Sequence, residues 1–178
     1  VIAVIGEVCA RKAQHRLVEA LPQVIRAGID PLVLLMGSVL APYRSTLERT
    51  IHEARMEERV RVLGMRNDIP DLLAAADCGC LPSQREVMPI SILEGMSIGL
   101  PFIATDVGGV RDCIRDGIDG IIVPRKQPLA LTTALIRLGS DESLRRTMGL
   151  NAQQRIGECF SPEACVPQIL NCYSAACA

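Results

Sequence analysis

The residues best equipped for chemistry in this 178-residue chain are two carboxylates flanking one helix start. Glu86 and Glu94 stand eight positions apart, with Pro89, Ile90 and Ser91 between them. Proline suits the first position of a helix, where its fixed φ is already helical and its missing N–H would have had no partner. Glu86 then falls at a loop tip and Glu94 inside the helix. The helix start leaves the amides of Ile90 and Ser91 free and carries the positive end of the helix dipole, which makes an anion site. A carboxylate beside a phosphate site is useful when it accepts from sugar hydroxyls. The set therefore suits a sugar-nucleotide, with ribose, diphosphate and hexose. Glu94 lies in a mostly apolar helix and is expected to need a partner, because glutamate is seldom buried alone.

Short apolar runs alternate with helix-period stretches around these residues, the pattern of βα units on a parallel sheet. Strands are predicted at Val1–Ile5, Leu32–Met36, Val60–Leu63, Asp77–Leu81, Phe102–Ala104 and Ile121–Val123. Leu17, Ala20, Leu21, Val24 and Ile25 share one face of the first helix, which Pro22 should interrupt and Gly28 should end. Further helices are predicted over Tyr43–Met56, Ile69–Ala75 with Asp68 as its cap, Pro89–Ile98 and Val110–Arg115, the last with Asp106 as a cap. Beyond Pro128 the chain reads as helices over 129–138, 141–149, 151–158 and 162–174. This is a single α/β, Rossmann-like three-layer domain of about six parallel strands with a helical C-terminal tail. Ligands of such sheets sit outside the carboxyl ends of the strands. Polar clusters stand at those ends: Glu7 to Lys12, Gly37-Ser38, Met65 to Asp68, Ser83 to Pro89, and Thr105 to Gly109.

Composition excludes several classes. Nineteen Lys and Arg against 20 Asp and Glu give a net charge of −1, so nothing draws the chain to nucleic acid. Aromatic residues are 2% and Trp is absent, which removes base-stacking and sugar-stacking surfaces. Neither the dinucleotide fingerprint nor a phosphate loop occurs, and there is no nucleophile elbow. The eight cysteines form no Cys-x-x-Cys and lie far in sequence from His15 and His52, so no metal site is expected. Both histidines read as surface residues on helices. Cys78 and Cys80 read as small buried apolar groups. With no signal peptide and no apolar run of membrane-spanning length, the expected location is cytoplasmic. The first strand begins at residue 1 without an initiator Met, and the expectation is that a longer protein precedes it.

The segment Gly64–Asp77, then Leu81-Pro82-Ser83, Glu86, Ile92-Leu93-Glu94-Gly95-Met96, Gly99-Leu100-Pro101, Ala104 through Gly109, Asp116-Gly117, Gly120 and Val123-Pro124 resembles the C-terminal half of the family-4, group 1 retaining glycosyltransferases. The resemblance covers nearly the whole chain in order. It implies one half of a GT-B enzyme, spanning residues 1–178, with an acceptor-binding N-terminal domain outside this chain as its partner. It also implies that the chain binds a UDP-, GDP- or ADP-sugar donor without a metal or other cofactor, for transfer of a hexosyl unit. Any contact with a membrane would be peripheral, through the other half. By the same resemblance Glu94 holds the ribose hydroxyls and Glu86 lies beside the transferred sugar. Ile90 and Ser91, after Pro89, face the distal phosphate, and Lys12 neutralises the diphosphate. Met65 and Arg66 border the nucleobase, while Gly6, Gly37 and Ser83 line the donor cleft. The family uses no protein base or nucleophile, so catalysis would be charge stabilisation and positioning.

Four positions depart from the family pattern. Glu7 stands where an Arg is common, Ala13 and Val87 where Gly is usual, and Met88 where Phe is frequent. A carboxylate within about 5 Å of a diphosphate would repel it by several kcal/mol if poorly solvated, so Glu7 must point away or the binding mode differs. Val at a position needing φ > 0 would be strained. Bland alternatives stand beside the site roles. Arg66 could cover the Asp68/Asp71 helix start, and Gly108-Gly109 could be turn residues only. Two rival functions fit the same fold: a GT-B sugar-nucleotide epimerase, and a degenerate domain that binds a nucleotide or a partner without catalysis.

Overall fold

The computed structural model describes residues 1–177. Six strands form one sheet: β1 (Ile2–Ile5), β2 (Val33–Met36), β3 (Val60–Gly64), β4 (Cys78–Leu81), β5 (Phe102–Thr105) and β6 (Gly120–Val123). Their order is β3-β2-β1-β4-β5-β6 and every neighbouring pair is parallel. Eight helices connect and follow them: α1 (His15–Arg26), α2 (Ala41–Ala54), α3 (Ile69–Ala74), α4 (Ile90–Ser97), α5 (Val110–Cys113), α6 (Pro128–Ser140), α7 (Glu142–Cys159) and α8 (Pro162–Ala176). β4, β5 and β6 are buried along their whole length. That explains their unbroken apolar runs, since crossover helices cover both faces of a parallel sheet. β3, at the edge, exposes Arg61 and Val62.

One apolar cluster fills the face under α1, α2 and α6, with Leu17, Leu21, Leu47 and Leu135 at its centre. The other lies under α3, α4, α5 and α7 and includes Leu73, Ile92, Met96, Phe102 and Ala152. β1 sits at the reversal of strand order, where the chain turns one way through β2 and β3 and later the other way through β4 to β6. Loops leaving β1 and β4 therefore diverge to opposite faces and open a crevice between them.

Two helix expectations need correction. Pro22 does not break α1, which runs on to Arg26. An interior proline costs about 3 kcal/mol, but Leu17, Val18, Leu21 and Val24 are all buried on that helix, and each buried aliphatic returns roughly 1.5–3 kcal/mol. The two helices expected over 141–149 and 151–158 are one, α7, capped by Asp141, whose side chain accepts from the Leu144 N–H at 2.8 Å. Gly149 marks a close crossing and not an end: a Cβ there would lie 2.1 Å from the Gly99 carbonyl oxygen. α8 buries none of its residues and packs against α7.

Candidate functional site

Lys12 lies between β1 and α1, and Glu86 between β4 and α4. The crevice at the strand reversal brings them together. Lys12 Nζ is 2.7 Å from Glu86 Oε1, and Ser83 Oγ donates to the same oxygen at 2.6 Å. Arg11 Nη1 stands 3.6 Å from Glu86 Oε2. The Lys12 and Glu86 side chains are 12% and 6% exposed, whereas Arg11 is 49% exposed. Glu86 is therefore no ordinary solvated loop carboxylate. A carboxylate this dry persists as an ion only with a cation and a hydrogen-bond donor beside it.

The two loops are stitched through their backbones. The Gln84 N–H donates to the Arg11 carbonyl at 2.8 Å, and Gln84 Nε2 to the Ala10 carbonyl at 3.2 Å. Within the first loop the buried Gln14 donates from Nε2 to the Glu7 carbonyl at 2.9 Å and accepts from the Cys9 N–H at 3.3 Å. Sequence reasoning passed over Gln14. Its only signal was a polar amide next to an amphipathic helix, which does not say that the side chain turns inward. Ala13 has φ 52°, so this departure from the family pattern keeps the left-handed backbone that glycine favours. Such a conformation costs an L-residue roughly 1–2 kcal/mol.

The loop after β5 supports the Glu86 loop. Gly108 has φ 50°, and a Cβ on it would lie 1.8 Å from the Glu86 carbonyl oxygen; the Gly109 N–H donates to the Val87 carbonyl at 2.8 Å. These glycines are thus more than turn residues. Val87 itself lies outside the left-handed region and is 90% exposed, so the substitution carries no backbone strain.

α4 is seated by Phe102, whose ring packs where Cβ atoms on Gly79 and Gly95 would fall, 2.3 Å away in each case. Its buried face is Ile92, Gly95 and Met96. Glu94 lies off that face and is exposed, with its carboxylate in no hydrogen bond or ion pair among the described residues. It needs no internal partner because the side chain is not buried. The helix start also differs from expectation. The Ile90 N–H is not free but donates to the Met88 carbonyl at 3.0 Å, and the Ile92 N–H donates to Pro89 at 3.0 Å. What remains is the Ser91 N–H, together with a buried Ser91 Oγ that has no partner among the described residues.

The other candidates lie in the loops that follow β1, β2 and β3. Gly6 and Gly37 touch, the Gly6 N–H donating to the Met36 carbonyl at 2.8 Å, and a Cβ on Gly37 would lie 2.2 Å from the Gly6 oxygen. Met65 and Arg66 follow β3, two strands from β1, and Met65 is 78% exposed. Arg66 binds Asp68 through two hydrogen bonds, at 2.8 and 2.5 Å, which holds the Asp68 carboxyl below its usual range. Asp68 spends its oxygens on Arg66 and does not cap α3 with its side chain. Asp106 likewise binds Arg111 (2.9 and 2.7 Å) and caps nothing. His15 is no free surface residue: its Nδ1 is 2.7 Å from the Tyr43 hydroxyl, which also accepts from the His15 N–H at 3.0 Å. Burial lowers the His15 pKa and raises that of Tyr43 to about 12. Cys78 and Cys80 are buried thiols as expected, and burial pushes Cys78 up to about 12.

The profile of the family described as "Glycosyl transferases group 1" matches residues 1–155. The chain is 31% identical over 175 residues to alpha-D-kanosaminyltransferase of Streptomyces kanamyceticus, covering 97% of this chain and 45% of that protein. It is 32% identical over 189 residues to D-inositol 3-phosphate glycosyltransferase of Salinispora tropica, covering all of this chain and 39% of that one. The chain thus spans less than half the length of these curated relatives. Among solved structures, HepE of Anabaena in complex with UDP superposes with a TM-score of 0.89 at 26% identity, over 98% of this chain and 48% of that one. A C-terminal domain of a group 1 glycosyltransferase from Francisella tularensis superposes with a TM-score of 0.80 at 22% identity, over 90% of this chain and 86% of that one, and so shares the fold. With its Rossmann-like sheet, its crevice at the strand reversal and these likenesses together, the chain belongs to the group 1 glycosyltransferases, as a C-terminal domain of that family.

Proposed function

We propose that this domain is the donor-binding half of a retaining hexosyltransferase of GT-B architecture, completed by an N-terminal acceptor domain outside this chain. One observation carries the reading furthest. Lys12 and Glu86 meet between the loops that follow β1 and β4, and the second of these loops leads into α4, whose Glu94 is exposed and unpaired among the described residues. Each has a task suited to a nucleoside diphosphate-sugar. Glu94 is a free carboxylate waiting for hydroxyl donors, and the ribose supplies two. Lys12 and the Ser91 amide meet the diphosphate, whose charge grows as the glycosidic C–O bond breaks. Glu86, held by Ser83, stands where a hexose hydroxyl would reach it. No side chain in this reading acts as base or nucleophile. Cations and the helix start stabilise the leaving diphosphate, and the acceptor attacks from the face it leaves, so the anomeric configuration is retained. The transferase relatives and the UDP complex of HepE support this reading over an epimerase. Charge neutralisation falls to protein cations, so EDTA should leave binding unchanged. A cytoplasmic location completes the proposal.

Calorimetric titration of the chain with UDP, GDP and ADP tests it. One wall of a cleft should bind one of the three with Kd of about 0.1–1 mM, or roughly 4–5.5 kcal/mol. No heat and no chemical-shift change with any of them at several millimolar would refute the reading and favour a degenerate domain.

A further inference from the structure

The crevice holds one more cation than its carboxylate needs. Arg11 and Lys12 both face Glu86, so the three side chains sum to one positive charge. Glu86 Oε1 is already taken by Lys12 at 2.7 Å and Ser83 at 2.6 Å. Arg11, at 3.6 Å from Oε2, lies beyond an ordinary hydrogen bond, and its guanidinium donates no hydrogen bond to any described residue. Nearly half of this side chain is open to solvent. Its backbone, by contrast, is fixed: the Arg11 carbonyl accepts from Gln84, and Gln14 ties the same loop from inside. The guanidinium is thus an uncommitted planar fork on a rigid mount, beside the cation already assigned to the diphosphate.

We infer that Arg11 is a second donor-binding cation, closing on the distal phosphate of the nucleoside diphosphate. This rests on the reading of the crevice as a nucleotide-sugar site. A diphosphate carries more than one negative charge, and Lys12 is largely neutralised by Glu86. Guanidinium suits the task because it meets phosphate oxygens through two parallel N–H bonds. Glu7, just after β1, brings a negative charge to the same loop. Arg11 offsets it. Arg66 cannot serve, being bound to Asp68. The competing cation is Arg85, exposed in the Glu86 loop, with Arg125 already donating to the Gln84 carbonyl at 3.4 Å.

The test compares Arg11→Gln, Arg11→Lys and Arg85→Gln in titrations with UDP, GDP and ADP and with the matching monophosphates. Arg11→Gln should weaken the tightest diphosphate about 10-fold and its monophosphate less than about 2-fold, from the loss of one charge-assisted contact to the distal phosphate. Arg11→Lys should recover part of that loss. Arg85→Gln should change neither ligand, and melting temperatures should stay level because the Arg11 pair is half exposed. Equal weakening of di- and monophosphate, or loss in Arg85→Gln instead, overturns the assignment. So does Arg11→Gln binding like the parent, which would leave the nucleotide-sugar reading standing. A parent chain that binds none of the three diphosphates overturns both.

Discussion

Glu94 and Glu86 share a residue type and a motif, yet their states differ. Glu86 is dry and its Oε1 is held by Lys12 and Ser83; Glu94 is exposed and unpaired among the described residues. The difference predicts opposite responses to neutralisation. Glu94→Gln removes a charge that no internal group relies on, so the fold should not notice. Ribose hydroxyls would lose charge-assisted hydrogen bonds worth roughly 1.5–3 kcal/mol, which weakens a ribonucleoside diphosphate about 10-fold to 100-fold. A 2′,3′-dideoxy nucleotide has no hydroxyls to donate and should be little affected. Paired titrations of both ligands, with melting curves of both proteins, read this directly. Equal weakening of the two ligands would remove Glu94 from the ribose.

Between elements, the tie that matters near the crevice is His15 to Tyr43. It joins the first residue of α1 to the third of α2, just beyond the loop that carries Lys12. With the Tyr43 hydroxyl accepting from the His15 N–H, its own proton is free to go to Nδ1 of a neutral ring. Desolvation by burial lowers the His15 pKa from 6.5, while Glu19 opposes the shift and Arg16 adds to it. The unfolded chain therefore takes up the proton first as pH falls. The stability this group contributes is complete above pH 6.5 and declines as pH drops through the lowered folded value. Urea midpoints should fall between about pH 7.5 and about pH 5.5. His15→Asn, which keeps an acceptor near the hydroxyl but cannot titrate, should show a shallower decline. Parallel pH profiles for the two proteins would show that His15 is not the titrating group.

At the scale of the whole molecule, one wall of a cleft should bind but not catalyse. On the proposed reading, the other wall would bring the acceptor and exclude water as the cleft closes. The 178-residue chain should transfer no sugar from UDP-, GDP- or ADP-hexoses, in an assay with radiolabelled donor and a panel of glycan and lipid acceptors. Robust transfer would mean that this single domain holds an entire active site. The pattern of short apolar runs and helix-period stretches already specified the Rossmann-like class, since period and length are local properties of the chain. It specified all six strands to within a residue at each end, and the residue types in the Glu86–Glu94 segment. Lys12 was marked by resemblance alone. Strand order lay beyond it, because pairing β1 with β4 joins residues about 76 positions apart and no local period encodes that choice. Only that pairing brings Lys12 to Glu86. The burial of Glu86, the exposure of Glu94, the inward turn of Gln14 and the spare charge of Arg11 were likewise decided by tertiary packing. Each depends on what lies across the crevice, and a side chain's partners there come from a loop distant in sequence.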